Sequence, residues 1–201
     1  KEKSVDKMKS DFISVASHEI RNPLNAIKQS VDIINNPASG ELTKDQKELL
    51  EMAQKNIDKL LQLSNDLLDT SKIESGKLEL TKKESNINEI VEQTSQNFDA
   101  QLKNAKINFK TNLQDSLPLA NIDPLRISQV ITNLISNAIK FSKENGTITI
   151  SSFNNKDDSN MIQISVADTG EGMSKEDIPK LFQKFQQVGT SAEKKFKGTG
   201  L

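Results

Sequence analysis

The 201-residue chain is predicted to fold as two domains of different class, an all-α helical hairpin over residues 1–76 and an α+β sandwich over residues 77–201. Two observations predict this. Apolar residues in the first third recur at three- and four-residue spacing, the stripe of a bundle helix. After Gly76 the pattern changes to alternating strands and helices. A chain of this length holds one domain or two small ones, at about 150 residues per domain.

Val5, Met8, Phe12 and Val15 open the first helix, with residues 1–12 as a helical lead-in. The seam resumes in a shifted phase at Ile20, Leu24, Ile27, Val31 and Ile34. Pro23 lies inside it, where a missing amide donor kinks a helix. This helix is expected to end near Asn35, before a short loop of Asn36, Pro37, Ser39 and Gly40. Thr43 and Gln46 form a capping box for a second helix, striped by Leu49, Met52, Ala53, Ile57, Leu60, Leu63 and Leu67 and stopped by Gly76. Two long helices joined by a short loop make an antiparallel hairpin. One hairpin leaves an apolar stripe uncovered. Pairing two into a dimeric four-helix bundle buries it, so a homodimer is predicted.

In the second domain Leu78 and Leu80 are placed on a strand and Asn88 to Lys103 on a helix. Ile107, Phe109, Thr111 and Leu113 alternate as a strand. Asp123 before Pro124 reads as an N-cap with proline at the first helical position, opening a helix that runs to Phe141. Asn145-Gly146 turns into a strand from Thr147 to Phe153, and a further strand from Met161 to Ala167 ends at Asp168-Thr-Gly-Glu-Gly. Residues 183–201, rich in Lys, Gly, Gln and Thr, read as a mobile loop.

Composition excludes several functions. With 27 Lys+Arg against 28 Asp+Glu the formal net charge is −1, without the basic excess of a general nucleic-acid binder. Mean hydropathy is −0.58 and the apolar runs fall far short of the roughly 20 residues of a membrane span. The absence of Cys removes disulfides, thiolate nucleophiles and zinc-thiolate clusters, and a single His removes multi-histidine metal sites. The first residue is Lys1 rather than Met, with no signal-like segment behind it, so the chain is expected to be a piece of something longer.

Three constellations carry chemistry. His18 falls on neither phase of the first helix's seam, so its ring is expected to reach solvent. A lone surface histidine needs no function, but Glu19 beside it and Pro23 beyond it set this one apart. Neutral imidazole is a good nucleophile, and a carboxylate that orients one ring nitrogen leaves the other free to attack. On the 124–141 helix, Ile127, Val130, Ile131, Leu134, Ile135 and Ala138 form an apolar face, while Asn133, Asn137 and Lys140 fall four and three apart on a flanking stripe. Asn is a poor helix former, amide oxygens suit the hard Mg²⁺ ion and Lys suits phosphate. Spacing alone leaves a merely solvated face equally open. Asp168 to Met173 follow a strand, with glycines that let the backbone turn tightly against a flat ligand. An Asp-Gly turn after a strand is also a common plain turn.

The stretch HEIRNPL, His18 to Leu24, resembles the H-box of sensor histidine kinases, in their dimerisation and phosphoacceptor domain. NLISNAIKFS, Asn133 to Ser142, resembles their N-box, and Asp168-Thr-Gly-Glu-Gly-Met173 is similar to their first glycine box. Leu181-Phe-Gln-Lys-Phe185 looks like the phenylalanine box, although helix-spaced Phe residues serve a core equally well. Gly198-Thr-Gly-Leu201 matches the beginning of the second glycine box. The motifs run in the family's order over nearly the whole chain. The family's last box continues with a further Gly-Leu, a helix and strands that complete the sheet, so the ATP-binding domain is expected to be C-terminally incomplete at Leu201.

The resemblance implies that His18 is phosphorylated, that Glu19 is its general base, and that Asn22, in a Glu-x-x-Asn pattern, positions a water for dephosphorylating the partner. It implies Asn137 as the Mg²⁺ ligand, Asn133 as its helper and Lys140 near the phosphates. Asp168 would accept a hydrogen bond from the exocyclic amine of adenine, and Met173 would pack on the base. Gly170 and Gly172 would shape the turn, and the backbone amides at Gly198 and Gly200 would meet the phosphates. The chain is thus read as the cytoplasmic core of a sensor histidine kinase. A dimeric hairpin precedes a Bergerat-type ATP-binding domain of the kind shared with Hsp90, MutL and gyrase. The resemblance implies ATP and Mg²⁺ as cofactors and a response-regulator receiver domain as partner. No nucleic acid and no membrane contact are expected for this stretch, with a membrane-anchored parent left open. One rival is a non-catalytic pseudokinase dimer that binds a receiver domain, against which intact His18, Glu19, Asn137 and Asp168 argue. A second rival is an ATPase or serine kinase of the same nucleotide fold, which has no reason to carry HEIRNPL.

Overall fold

A computed structural model describes the backbone of residues 2–158 and 160–181, and the side chains of these apart from residues 2–12 and 14. They form two compact units that divide between Glu79 and Leu80.

The first unit is a helical hairpin: α1 (Glu2–Ile34), a 3-10 turn (Pro37–Ser39) and α2 (Lys44–Glu74). Helix α1 continues through Pro23, whose missing amide leaves the Glu19 carbonyl without its intrahelical donor. The predicted capping box closes the start of α2. The Thr43 hydroxyl accepts from the Gln46 amide at 3.2 Å, and the Gln46 side chain accepts from the Thr43 amide at 2.9 Å. At the far end Gly76 takes φ +66°, the left-handed conformation that ends a helix without a Cβ penalty.

The helices meet along rows spaced seven residues apart, Ser17, Leu24 and Val31 on α1 with Ile57, Ser64 and Ser71 on α2, joined by Leu68. The Ser64 hydroxyl donates to the Ser17 carbonyl at 3.1 Å, and a Lys28–Asp58 ion pair at 2.6 Å lies outside the seam. This differs from the predicted seam. Leu24 and Val31 are buried, but Ile20 and Ile27 are each 50% exposed and Ile34 is exposed as well. The buried row meets α2, and the outer row lies on the side of α1 that this single neighbouring helix leaves uncovered. Leu49, Met52 and Leu60 of α2 are likewise exposed.

The second unit contains β1 (Lys83–Ser85), α3 (Ile87–Gln96), α4 (Asp99–Asn104), β2 (Asn108–Leu113), β3 (Ala120–Ile122), α5 (Pro124–Phe141), β4 (Thr147–Asn154) and β5 (Ile162–Asp168), then a 3-10 turn (Ile178–Lys180). Strands β1 and β3 pair antiparallel, while β4 is flanked by β2 in parallel and β5 in antiparallel register, a mixed sheet. Val91 of α3, Ile131 and Ile135 of α5, and Ile148 and Ile150 of β4 are sealed from solvent in one core with Phe98 and Leu102. Alternate residues of β4 point into it, the period of a strand with one covered face. Helices over a mixed sheet give the expected α+β sandwich.

Four details differ from the sequence reading. Leu78 and Leu80 are not on a strand: pairing begins at Lys83, opposite Ile122. The helix expected over 88–103 is two, because the Asn97 and Phe98 amides bond three residues back, to Thr94 and Ser95, and this tightened turn sends Phe98 into the core. Strand β3 has three residues, too few for alternation to reveal. Strand β5 starts at Ile162 and includes Asp168 as its last residue, opposite Ile148. The expected mobile loop over 183–201, with Phe182 and Phe185, lies outside the described residues.

Candidate functional site

In the hairpin, Ser17 is buried in the seam and His18, the next residue, is exposed. Packing at Ser17 therefore fixes the direction of the imidazole. The ring has no hydrogen-bond partner among the described residues. Glu19 is also exposed, but neighbouring helical positions diverge by about 100° and no hydrogen bond joins its carboxylate to His18. Asn22, one turn on, is exposed on the same face as His18. The prediction of a solvent-facing histidine off the buried row matches this placement.

In the α/β unit the predicted residues converge on the last turns of α5. Asp123 starts that helix: its carboxylate accepts from the amides of Leu125, Arg126 and Thr81. The Thr81 amide, followed by the Arg126 amide, holds this carboxyl below its ordinary range. Ile131, Ile135 and Ala138 turn inward, which leaves Asn133 and Asn137 exposed and without side-chain hydrogen bonds among the described residues. Lys140 is half-buried, with its Nζ 4.8 Å from the centroid of the Phe141 ring.

The loop after β5 lies directly on the end of α5. A Cβ on Gly170 would collide with the Phe141 carbonyl oxygen, so this close approach admits only glycine. That contact brings Asp168 and Gly170 to the helix end that carries Asn137 and Lys140. One oxygen of Asp168, Oδ1, accepts from the Gly170 amide at 2.8 Å, which orients the carboxylate; Oδ2 has no partner among the described residues. Gly172 sits at φ +69° with no atom within 4 Å of the place a Cβ would take, and Met173 beside it is 57% exposed. Gly198 and Gly200 lie outside the described residues.

Two positioning features escaped the sequence reading. The Thr169 hydroxyl accepts from the Thr147 amide at 2.9 Å while its own amide donates to the Thr147 carbonyl at 3.1 Å, clamping the strand ends beside Asp168. Asn65 accepts from Arg21 Nη2 at 2.7 Å across the hairpin. Neither pair is close in sequence, so spacing carried no signal. A groove of about 620 Å³ between α3 and the first turn of α5, lined in part by Lys83, Thr94 and Ser128, contains none of the predicted site residues and lies at the opposite end of α5 from Asn137.

This rim offers an oriented carboxylate acceptor, two free amide groups and a lysine. Among the described residues no cluster of His, Cys, Asp or Glu could hold a metal by itself. The donor set suits Mg²⁺, which takes few protein ligands and completes its octahedron with substrate phosphates and water. Among the described residues no helix is long and apolar enough to cross a membrane.

Residues 8–76 match the His Kinase A (phospho-acceptor) domain, and residues 122–201 match the histidine kinase-, DNA gyrase B- and HSP90-like ATPase. The chain is 37% identical over 198 residues to the sensor histidine kinase GacS of Pseudomonas protegens, covering 97% of this chain and 21% of that protein. It is 33% identical to the circadian input-output histidine kinase CikA of Synechococcus elongatus, covering 96% and 26%. The chain thus spans about a fifth to a quarter of the length of these curated relatives. Full-length ShkA in complex with AMPPNP superposes with a TM-score of 0.73 at 25% identity, over 88% of this chain and 37% of that one. Histidine kinase ThkA in complex with the response regulator TrrA gives 0.56 at 25% identity, over 92% and 53%. With both motif-bearing regions matched in tandem, the chain belongs to the sensor histidine kinases, as a phospho-acceptor domain followed by an ATPase domain.

Proposed function

We propose that this chain transfers the γ-phosphoryl group of ATP to His18 and relays it to an aspartate of a response-regulator receiver domain. The observation that carries the proposal is the chain's single histidine, exposed, without a hydrogen bond among the described residues, and on the helix face it shares with Asn22. In the transfer a ring nitrogen of His18 forms a bond to the γ-phosphorus as the bond to the β,γ-bridging oxygen breaks. ADP leaves with that electron pair. The proton on the other ring nitrogen passes to Glu19, whose contact with the ring forms in the loaded complex, since catalytic hydrogen bonds are often loose without substrate. Asp168 Oδ2 accepts from the adenine amine and Met173 packs on the base. A carboxylate at that position selects adenine, because guanine offers a carbonyl oxygen there. Asn137 would hold Mg²⁺ with Asn133 beside it, and the ion supplies charge neutralisation at the phosphates, as does Lys140.

Residues 1–76 serve as the dimerisation and phosphotransfer domain and residues 77–201 as the catalytic domain. The exposed row of Ile20, Ile27 and Ile34 supports a second hairpin as its cover. The complex of ThkA with TrrA supports a response regulator as the partner. ATP chemistry of this kind places the chain in the cytoplasm. Asn22 positions a water on the regulator's aspartyl phosphate, which makes the chain a phosphatase as well.

Incubation with γ-labelled ATP and Mg²⁺ tests this. The label should be acid-labile and base-stable, and should vanish in His18→Gln with nucleotide binding retained. Asn22→Ala should keep the label but slow the regulator's dephosphorylation by about one to two orders of magnitude. Acid-stable label, or label that persists in His18→Gln, contradicts the transfer; equal loss of both activities in Asn22→Ala removes the phosphatase role.

A further inference from the structure

Arg21 lies inside HEIRNPL and has no task in the transfer described above. Three residues beyond His18, it is that residue's neighbour on the helix surface. Helical side chains lean toward the N-terminus, so Arg21 leans back along α1 in the direction of His18. Its Nη2 donates to Asn65 Oδ1 at 2.7 Å. Asn65 follows Ser64, whose hydroxyl reaches the Ser17 carbonyl. The hydrogen bond therefore holds the guanidinium at the level of Ser17 and His18 rather than letting it sweep through solvent.

The partner's chemistry matters as much as its place. An amide fixes one prong of the guanidinium fork and leaves its charge intact, with four further N–H donors available. Among the described residues no carboxylate pairs with Arg21. This contrasts with Lys28, two turns further on, which is neutralised by Asp58 on the same helix as Asn65. A phosphoryl group brings close to two negative charges and three strong acceptor oxygens, the ligand a planar forked cation recognises best.

We propose that Arg21 binds the phosphoryl group once it is on His18, and that Asn65 is the positioning residue that holds Arg21 there without neutralising it. The bond changes of the transfer are unaffected: Arg21 stabilises its product. The inference rests on His18 as the phosphoryl acceptor.

Because the chain has one histidine, phosphoramidate can load His18 chemically in the full chain, whether or not ATP is turned over. The ³¹P resonance of the phosphohistidine is then followed against pH. A bound guanidinium favours the dianion, so Arg21→Gln should raise the phosphoryl titration midpoint by about half a pH unit or more. Arg21→Lys should recover part of the shift. Asn65→Asp discriminates best. If Asn65 serves only to tie the helices, an aspartate pairs with Arg21 at least as well, and the midpoint stays at the wild-type value. If Asn65 keeps the cation available, the aspartate neutralises it and the midpoint rises as in Arg21→Gln, with far-ultraviolet dichroism unchanged. Coincident midpoints in wild type and Arg21→Gln overturn the inference, and a wild-type midpoint in Asn65→Asp overturns the role of Asn65. Failure of ATP-dependent labelling in the wild type counts against the kinase reading alone.

Discussion

The hairpin and the α/β unit bury apolar side chains in different ways. In the α/β unit Val91, Ile135, Ile148 and Ile150 have no solvent exposure, and helices and sheet supply one another's cover. In the hairpin the seam mixes Leu24, Val31, Ile57 and Leu68 with three serines, while the outer row of Ile20, Ile27 and Ile34 stays exposed. The Ser17 hydroxyl is buried there without a hydrogen-bond partner among the described residues. The α/β unit closes a core within one copy, although Val130 and Leu134, expected on the apolar face of α5, are exposed. The hairpin leaves its outer apolar row uncovered and has a thin, partly polar seam of its own, beside which His18 is exposed.

The largest effect should come from breaking the complete core. Ile135→Ala removes a fully buried side chain between helix and sheet and should cost about 2–5 kcal/mol in the unfolding of the α/β unit, measured by denaturant titration. A loss below about 1 kcal/mol would mean that the core is not tightly packed. Next, Asp168→Asn removes a charged acceptor at a strand end that contributes little packing. Nucleotide affinity should fall about tenfold or more with stability nearly unchanged, and unchanged affinity in calorimetry reduces Asp168 to a turn residue.

The hairpin side of the comparison is broken at Ile27. Residues 1–76 should run as a helical dimer by light scattering at micromolar concentration, and Ile27→Ser should raise the dissociation constant by roughly tenfold, as burial of one aliphatic side chain implies. A folded monomer contradicts the proposed pairing. The smallest effect concerns Asp123, whose carboxyl is held below its ordinary range chiefly by the Thr81 and Arg126 amides. A depressed carboxyl stabilises the fold above its unfolded pKa of about 3.9 and loses that contribution as pH falls through the folded value. The stability gap between wild type and Asp123→Asn should therefore narrow from pH 5 to pH 3; a gap independent of pH assigns the cap no electrostatic part.

What was readable from sequence follows the range of the signals. Local chemistry was readable: the Thr43–Gln46 box, Asp123 before Pro124 and the Asn145-Gly146 turn into β4 depend on residues a few positions apart. The exposure of His18 followed from helical phase alone. Features set by partners distant in the chain were not readable. Which of two apolar rows meets α2, whether Leu80 or Lys83 begins a strand, and how Gly170 meets Phe141 are decided by neighbours 29 to 47 residues away, such as Ser17 with Ser64, Lys83 with Ile122 and Gly170 with Phe141. The same holds for Arg21 and Asn65, 44 residues apart.

The most direct test of the transfer itself is a ³¹P spectrum of the full chain after incubation with ATP and Mg²⁺. With one histidine in 201 residues, phosphorylation at His18 predicts a single acid-labile phosphoramidate resonance that disappears in His18→Gln. A phosphomonoester resonance on serine or threonine, or a phosphoramidate signal that survives that substitution, would contradict it.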